Sequence, residues 1–173
     1  MTDLILRPAA RADTAALSDL ATRAFVAKFG HLYRPEDLAS FLIESLSEPA
    51  IAAELANPDR VYRLAERGGE LVGYCKIGLT CGFPEHARGQ RVMELKQLYT
   101  APEATGGGIG GQLMDWAMSE FAARGADEVQ ISVYAYNDGG HRFYRRYGFD
   151  KVADITFRVG EHLDEEFLFA RML

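Results

Sequence analysis

The sequence has few cysteines, no long hydrophobic run and no excess of basic residues. Only two of its 173 residues are cysteine, and the positions of Cys75 and Cys81 do not match a metal-binding pattern. We interpret both as free thiols in a reducing compartment. No segment is apolar enough to span a bilayer, and Asp3 and Arg7 interrupt the region where a secretory signal would be hydrophobic. These features predict a cytoplasmic protein with no bound metal and no membrane partner.

The charge balance argues against nucleic acid as a partner. The formal net charge is -6, and a nucleic-acid surface requires basic side chains. An acidic protein is better suited to a cationic small molecule. Hydrophobic residues make up 48% and charged residues 25% of the chain, which is typical of a globular domain. Without internal repeats or a low-complexity linker, residues 1–173 are predicted to form a single domain.

Hydrophobic periodicity predicts an α+β fold with one mixed sheet. The predicted strands cover residues 4–6, 61–65, 71–79, 93–100, 129–134, 152–159 and 166–172. The predicted helices begin near residues 13, 35, 48, 109 and 137. The remaining acidic cluster, formed by Glu161, Asp164, Glu165 and Glu166, is most simply interpreted as a solvated turn, although its negative field could attract a cationic molecule such as a polyamine.

A glycine cluster follows the predicted strand at 93–100. From Gly106 to Gly111 only Ile109 carries a side chain of any size. A helical stripe follows at once, formed by Leu113, Trp116, Ala117 and Phe121. Bare backbone N–H groups at the positive end of a helix dipole are suited to an anionic phosphate. A flexible turn is the simpler alternative, but the strand before the glycines and the helix after them favour phosphate binding.

Two motifs resemble those of the GCN5-related N-acetyltransferases. The cofactor motif of that family is Gln or Arg, two residues, Gly, one residue, then Gly or Ala. Here residues 105–110 read Thr-Gly-Gly-Gly-Ile-Gly, with Thr105 in the first position. The second signature is an Asn, a Phe-Tyr pair and Gly-Phe, here Asn137, Phe143-Tyr144 and Gly148-Phe149. The C-terminal residues, with Glu94-Leu95, resemble the PaiA-type branch, whose members are linked to polyamine acetylation.

The resemblance implies a fold, a co-substrate and the residues that bind it. It implies a mixed, mostly antiparallel central sheet flanked by helices, and acetyl-CoA as co-substrate. The fourth strand would hold pantetheine and the thioester carbonyl through its backbone at Leu98, Tyr99 and Thr100. The pyrophosphate would bind at Thr105, Gly106, Gly107, Gly108, Ile109, Gly110 and Gly111. Asn137 would contact the cofactor and also cap a helix.

Two catalytic candidates follow from the same resemblance. Tyr144 would be the general acid that protonates the leaving thiolate, although the aromatic cluster around it is also consistent with simple core packing. Glu94 would be the base, acting directly or through water. Period-two alternation predicts one strand face for Glu94, Lys96, Leu98 and Thr100. Lys96 could therefore form an ion pair with Glu94, which counts against a base, and an exposed strand carboxylate is the alternative.

The acceptor region is also implied by the family. The break between the first two helices borders the acceptor pocket there, so Phe29, His31 and Tyr33 are predicted to contact substrate together with Glu94. The acceptor would be a primary amine of a small molecule, attacked directly in a ternary complex. A polyamine is favoured by the branch and by the acidic charge. A homodimer is common in the family and is expected here by analogy.

Two other functions compete with acetyl transfer. Gly106, Gly108 and Gly111 also fit the G-x-G-x-x-G pattern of dinucleotide-binding oxidoreductases. Against this, five residues separate the preceding strand from the glycines, and Asp127 and Glu128 begin the next strand instead of ending it. An acyl-CoA-binding sensor without turnover is the non-enzyme alternative.

Overall fold

Seven strands, named β1 to β7 in chain order, form one sheet in a computed structural model that describes residues 2–173. The strands are β1 Leu4–Pro8, β2 Arg60–Arg67, β3 Glu70–Gly78, β4 Val92–Thr100, β5 Glu128–Tyr134, β6 Asp150–Val159 and β7 His162–Met172. The α-helices within the described residues are α1 Thr14–Phe29, α2 Pro35–Phe41, α3 Glu48–Ala56, α4 Ile109–Ala123 and α5 Asp138–Arg146. None of these helices combines the length and apolar character needed to cross a membrane.

The sheet is mixed and mostly antiparallel, as predicted. Its strand order is β1-β2-β3-β4-β5-β7-β6. Every neighbouring pair is antiparallel except β4 and β5, which run parallel and are connected by α4. The predicted order of strands and helices is confirmed over residues 2–173.

The parallel pair separates soon after it begins. Strands β4 and β5 are paired only at Val92–Glu128, Met93–Val129 and Glu94–Gln130. Beyond Glu94 the two strands diverge, so β4 keeps its partner β3 on one edge and faces a gap on the other. The gap runs through the middle of the sheet and opens toward the C-terminal ends of both strands.

A β-bulge in β4 accompanies this divergence. Lys76 of β3 is opposite Gln97, whereas its neighbour Ile77 is opposite Leu95, so Lys96 is the extra residue. Leu95 and Leu98 both pack into the core beneath α4 although they are three positions apart. The prediction that Glu94, Lys96, Leu98 and Thr100 share one face is therefore wrong, because the bulge reverses the alternation after Lys96.

Helices pack against both faces of the sheet through hydrophobic side chains. One core cluster joins α4 to the central strands and includes Leu113, Met114, Ala117, Phe121, Val129, Ile131 and Val133. The other lies under the N-terminal helices and includes Leu17, Leu20, Phe25, Leu46, Leu64 and Tyr74. Burying one such side chain contributes about 1.5–3 kcal/mol, so these two clusters hold the helices against the diverging strands.

The acidic stretch near the C-terminus is part of a strand, which corrects the predicted solvated turn. The turn between β6 and β7 contains only Gly160 and Glu161, and Gly160 has a φ of 59°. Asp37 of α2 anchors it by accepting a hydrogen bond from the Glu161 N–H at 2.9 Å. Alternation along β7 then points Asp164 and Glu166 inward, where both are buried. Their charge suggested exposure, but their position in a strand between β5 and β6 determines their burial.

Candidate active site

Two cavities meet where β4 and β5 diverge. The first, here called the sheet cavity, has a volume of about 380 Å³ and lies between the gap and α1. The second, the helix cavity, has a volume of about 470 Å³ and lies at the first turn of α4. The walls common to both cavities are formed by Lys28, Leu98, Tyr99, Asn137 and Tyr144. Two molecules that occupy the two cavities would therefore meet at these side chains.

The glycine cluster forms an open turn in front of α4. Gly106 and Gly108 have φ values of 82° and 77°, a conformation that glycine adopts without steric cost. The helix starts at Ile109, so the N–H groups of its first turn have no intrahelical acceptor and lie at the positive end of its dipole. A Cβ atom at Gly106, Gly108 or Gly110 would meet no protein atom within 4 Å. This arrangement has the space and the donors that a phosphate requires.

Most of the predicted cofactor residues lie at the helix cavity. Its lining includes Leu98, Tyr99, Thr100, Thr105, Gly110, Asn137 and Tyr144. Thr105 uses its hydroxyl to donate to the Pro102 carbonyl at 3.1 Å. Asn137 caps α5 by accepting from the Gly140 N–H at 3.0 Å. The Ile109 side chain is buried in the core beneath the sheet, so only its backbone could contact a ligand in the cavity.

Tyr144 lies on the boundary between the two cavities. It projects from α5 and lines both, and among residues 2–173 its hydroxyl has no hydrogen-bond partner. Burial raises the pKa of the Tyr144 phenol, with smaller contributions from Cys75 and Tyr99. The phenol is therefore protonated at neutral pH, which is the state a proton donor needs.

Glu94 lies at the point of divergence, where it is buried and lines the sheet cavity. Its Oε2 accepts hydrogen bonds from Lys96 Nζ at 3.0 Å and from the Gly82 N–H at 2.9 Å. The ion pair with Lys96 that the sequence predicted is thus formed. These contacts connect Glu94 to the bulge and to the loop before β4, and they compensate its charge within the protein.

A second group of carboxylates, Asp164 and Glu166, also lines the sheet cavity. This position was not predicted for them from the sequence. Glu166 accepts a hydrogen bond from Ser132 Oγ at 3.0 Å, and Asp164 accepts one from the Tyr33 hydroxyl. Burial, opposed by the hydrogen bond from Ser132 and assisted by the charge of Asp164, raises the pKa of the Glu166 carboxyl to about 7. The alternation of residues 162–172 could have revealed both side chains, because it places them on the face of Leu168 and Ala170.

Aromatic side chains form much of the remaining wall of the sheet cavity. They are Phe25, Phe29, Tyr33, Phe41, Phe83, Tyr134 and Phe157. Two of the three residues predicted at the break after α1 therefore lie at the cavity. The third, His31, is exposed and does not line it.

Comparison with known proteins agrees with this geometry. A model of the acetyltransferase (GNAT) family matches residues 16–149. The chain belongs to this family. It is 32% identical over 162 residues to an uncharacterized N-acetyltransferase of Mycobacterium tuberculosis, a match that covers 93% of this chain and 98% of that protein. The predicted enzyme class, N-acetyltransferase, is confirmed, and the oxidoreductase alternative is not supported.

Other GNAT proteins resemble this chain less closely or over a shorter region. The aminoalkylphosphonate N-acetyltransferase of Salmonella typhimurium is 38% identical over 98 residues, which cover 57% of this chain and 62% of that enzyme. The PaiA N-acetyltransferase of Thermoplasma acidophilum, solved in complex with coenzyme A, superimposes with a TM-score of 0.80. That match covers 99% of both chains at 21% identity, and it shows that the two proteins share a fold.

The raised pKa of Glu166 predicts a pH-dependent cost to stability. Between about pH 4.5 and 7 the folded GNAT domain binds a proton at Glu166 more tightly than the unfolded chain does, so the free energy of unfolding falls as pH rises through this range. We expect Glu166→Gln to raise the free energy of unfolding above pH 7 by up to about 3 kcal/mol, since one pKa unit corresponds to about 1.4 kcal/mol. The gain should vanish near pH 4.5.

Chemical denaturation at a series of pH values measures this difference. Glu165→Gln is the matched control, because Glu165 is the exposed neighbour on the same strand. An equal effect of the two substitutions at every pH would contradict the assigned burial of Glu166.

Proposed function

We propose that this GNAT protein transfers the acetyl group of acetyl-CoA to a primary amine of a small molecule, by direct attack within a ternary complex. The observation that supports this most directly is the pair of cavities with a common wall at Tyr144. In this proposal the helix cavity binds coenzyme A and the sheet cavity binds the amine. The thioester and the amine would then meet beside one protonated phenol.

The helix cavity suits coenzyme A in two ways. The open glycine turn offers backbone N–H groups for the pyrophosphate. The edge of β4 that faces the gap offers backbone groups near Leu98, Tyr99 and Thr100, which can bind the amides of pantetheine and polarise the thioester carbonyl. The PaiA protein of Thermoplasma acidophilum, which has the same fold, was solved with coenzyme A.

The sheet cavity suits an acceptor that carries positive charge on an apolar body. Asp164 and Glu166 form no ion pair with Lys or Arg in the described residues, and the aromatic wall can attract ammonium groups and pack against methylene groups. A polyamine has this chemistry, in agreement with the resemblance to the PaiA branch. An aminoalkylphosphonate would place an anion beside the same carboxylates and fits less well. A homodimer and a cytoplasmic location stay predictions.

An acceptor screen tests the proposed reaction. We expect thiol release from acetyl-CoA with aliphatic di- and polyamines such as putrescine and spermidine, and less with aminoethylphosphonate or an aminoglycoside. Mass spectrometry of the amine should show one acetyl group for each thiol released. Binding of acetyl-CoA without release for any amine would instead favour the sensor alternative.

Removal of the Tyr144 hydroxyl should slow the reaction without weakening coenzyme A binding. For Tyr144→Phe we expect kcat to fall about 100-fold or more, the usual contribution of a general acid, while the Kd for coenzyme A is unchanged. Tyr62→Phe is the control, because its buried hydroxyl lies outside both cavities and has no partner within the described residues. Equal loss of rate and of cofactor affinity in Tyr144→Phe would contradict the assigned role.

A side chain at Gly110 should block the proposed pyrophosphate site. A leucine there has room to enter the helix cavity, and competition with a bound ligand should raise the Kd for coenzyme A about tenfold or more. Folding should not suffer, since leucine is a better helix former than glycine. Gln112→Leu, exposed on the same helix turn and outside the cavity, should bind normally in calorimetry. Unchanged affinity in Gly110→Leu would place the nucleotide elsewhere.

A further inference from the structure

We infer that Glu166, and not Glu94, is the general base that removes a proton from the acceptor ammonium. The inference rests on the proposed function and assigns one of its steps to a side chain of β7. Both carboxylates are buried and line the sheet cavity, so the choice between them depends on their partners.

The two carboxylates differ in what already binds them. Glu94 is paired with Lys96 and also accepts from a backbone N–H. Within residues 2–173, Glu166 accepts from the neutral hydroxyl of Ser132 alone and has no cationic partner. The Glu94 carboxylate already has a cation beside it, so it gains less from an incoming ammonium. The uncompensated one can accept a proton or bind an incoming ammonium.

The position of Glu166 also connects it to the proposed acid. Tyr99 and Tyr144 lie in the wall common to both cavities, and Glu166 lines the sheet cavity with them. A base on β7 and an acid on α5 would face one amine from different sides of the cavity, with Tyr99 beside them.

The other charged and titratable groups that line the sheet cavity come from several elements. They are Lys28 on α1, Tyr33 after it, Lys76 on β3, Glu94, Lys96 and Tyr99 on β4, Tyr134 on β5, Tyr144 on α5, and Asp164 on β7. Lys76 pairs with Glu54 at 2.9 Å, and Asp164 lies 3.1 Å from His162 Nε2. Burial leaves the pKa of Glu166 at about 7, and a base works best when its pKa is near the working pH.

In the inferred step the acetyl group moves from sulfur to nitrogen. The acceptor enters as an ammonium, and Glu166 takes one proton to become a neutral acid. The freed lone pair forms the C–N bond while the C–S bond breaks and the sulfur keeps its electron pair. The sulfur takes the Tyr144 proton, and the nitrogen returns its second proton to the Tyr144 oxygen. The products are an amide, a thiol and one proton, which leaves Glu166 for solvent.

The pH dependence of thiol release tests this assignment. For the wild-type protein with saturating acetyl-CoA, we expect kcat/KM for the amine to fall as the pH drops below an apparent pKa of about 7, and this fall is here called the acidic limb. Glu166→Gln should lower kcat about 100-fold or more and abolish this acidic limb, with an unchanged Kd for coenzyme A. Glu94→Gln should keep the limb at its wild-type midpoint.

Two neighbouring substitutions should move the limb in opposite directions. Ser132→Ala removes a hydrogen bond that lowers the pKa of Glu166, so the limb should shift to higher pH. Asp164→Asn removes a negative charge that raises this pKa, so the limb should shift to lower pH. A merely structural role of Glu166 would not produce this pair of shifts.

Three results would overturn the inference. Glu166→Gln could retain the kcat and the limb, it could raise only KM for the amine, or the limb could disappear in Glu94→Gln instead. Each of these leaves the proposed function intact, because the wild-type protein still releases thiol. Absence of thiol release from the wild type with every amine would overturn both proposals.

Discussion

The divergence of β4 from β5 is the constraint on which the rest of the site depends. Two parallel strands that stayed paired would satisfy each other's backbone groups and close the sheet. Here the pairing ends at Glu94 and Gln130, so backbone groups of β4 face a gap, and polar groups in such a place need another partner. The bulge at Lys96 reorients the strand beside this gap. Both cavities exist because the sheet is open at this point.

The carboxylates near the gap show how local partners set the chemistry of one functional group. Glu94 is compensated by a lysine and supports a loop. Glu166 accepts a hydrogen bond from one hydroxyl, which offsets only part of the effect of burial, so its pKa rises. A protein can retain such an unfavourable arrangement when the group has a task that a compensated carboxylate cannot perform. In the proposed reaction that task is proton removal.

The elements of this fold could be predicted where local sequence determines local structure. Glycine at positive φ explains why the turn before α4 was predictable, and Asn137 caps its helix in the way its side chain suggests. The bulge at Lys96 was not predictable, because it is a register shift in the pairing of β4 with β3 and no local signal in the sequence marks it. Asp164 and Glu166 were misplaced for a similar reason. Their burial follows from the neighbours of β7 in the sheet, whereas their charge favours solvent.

The common wall of the two cavities has a thermodynamic consequence. A ligand that reorients Tyr99, Asn137 or Tyr144 in one cavity also reshapes the other. If one ligand changes the affinity of the protein for the other by some factor, the second ligand must change the affinity for the first by the same factor. In the proposed reaction, one coupling free energy would therefore describe both the effect of the nucleotide on amine affinity and the effect of the amine on nucleotide affinity.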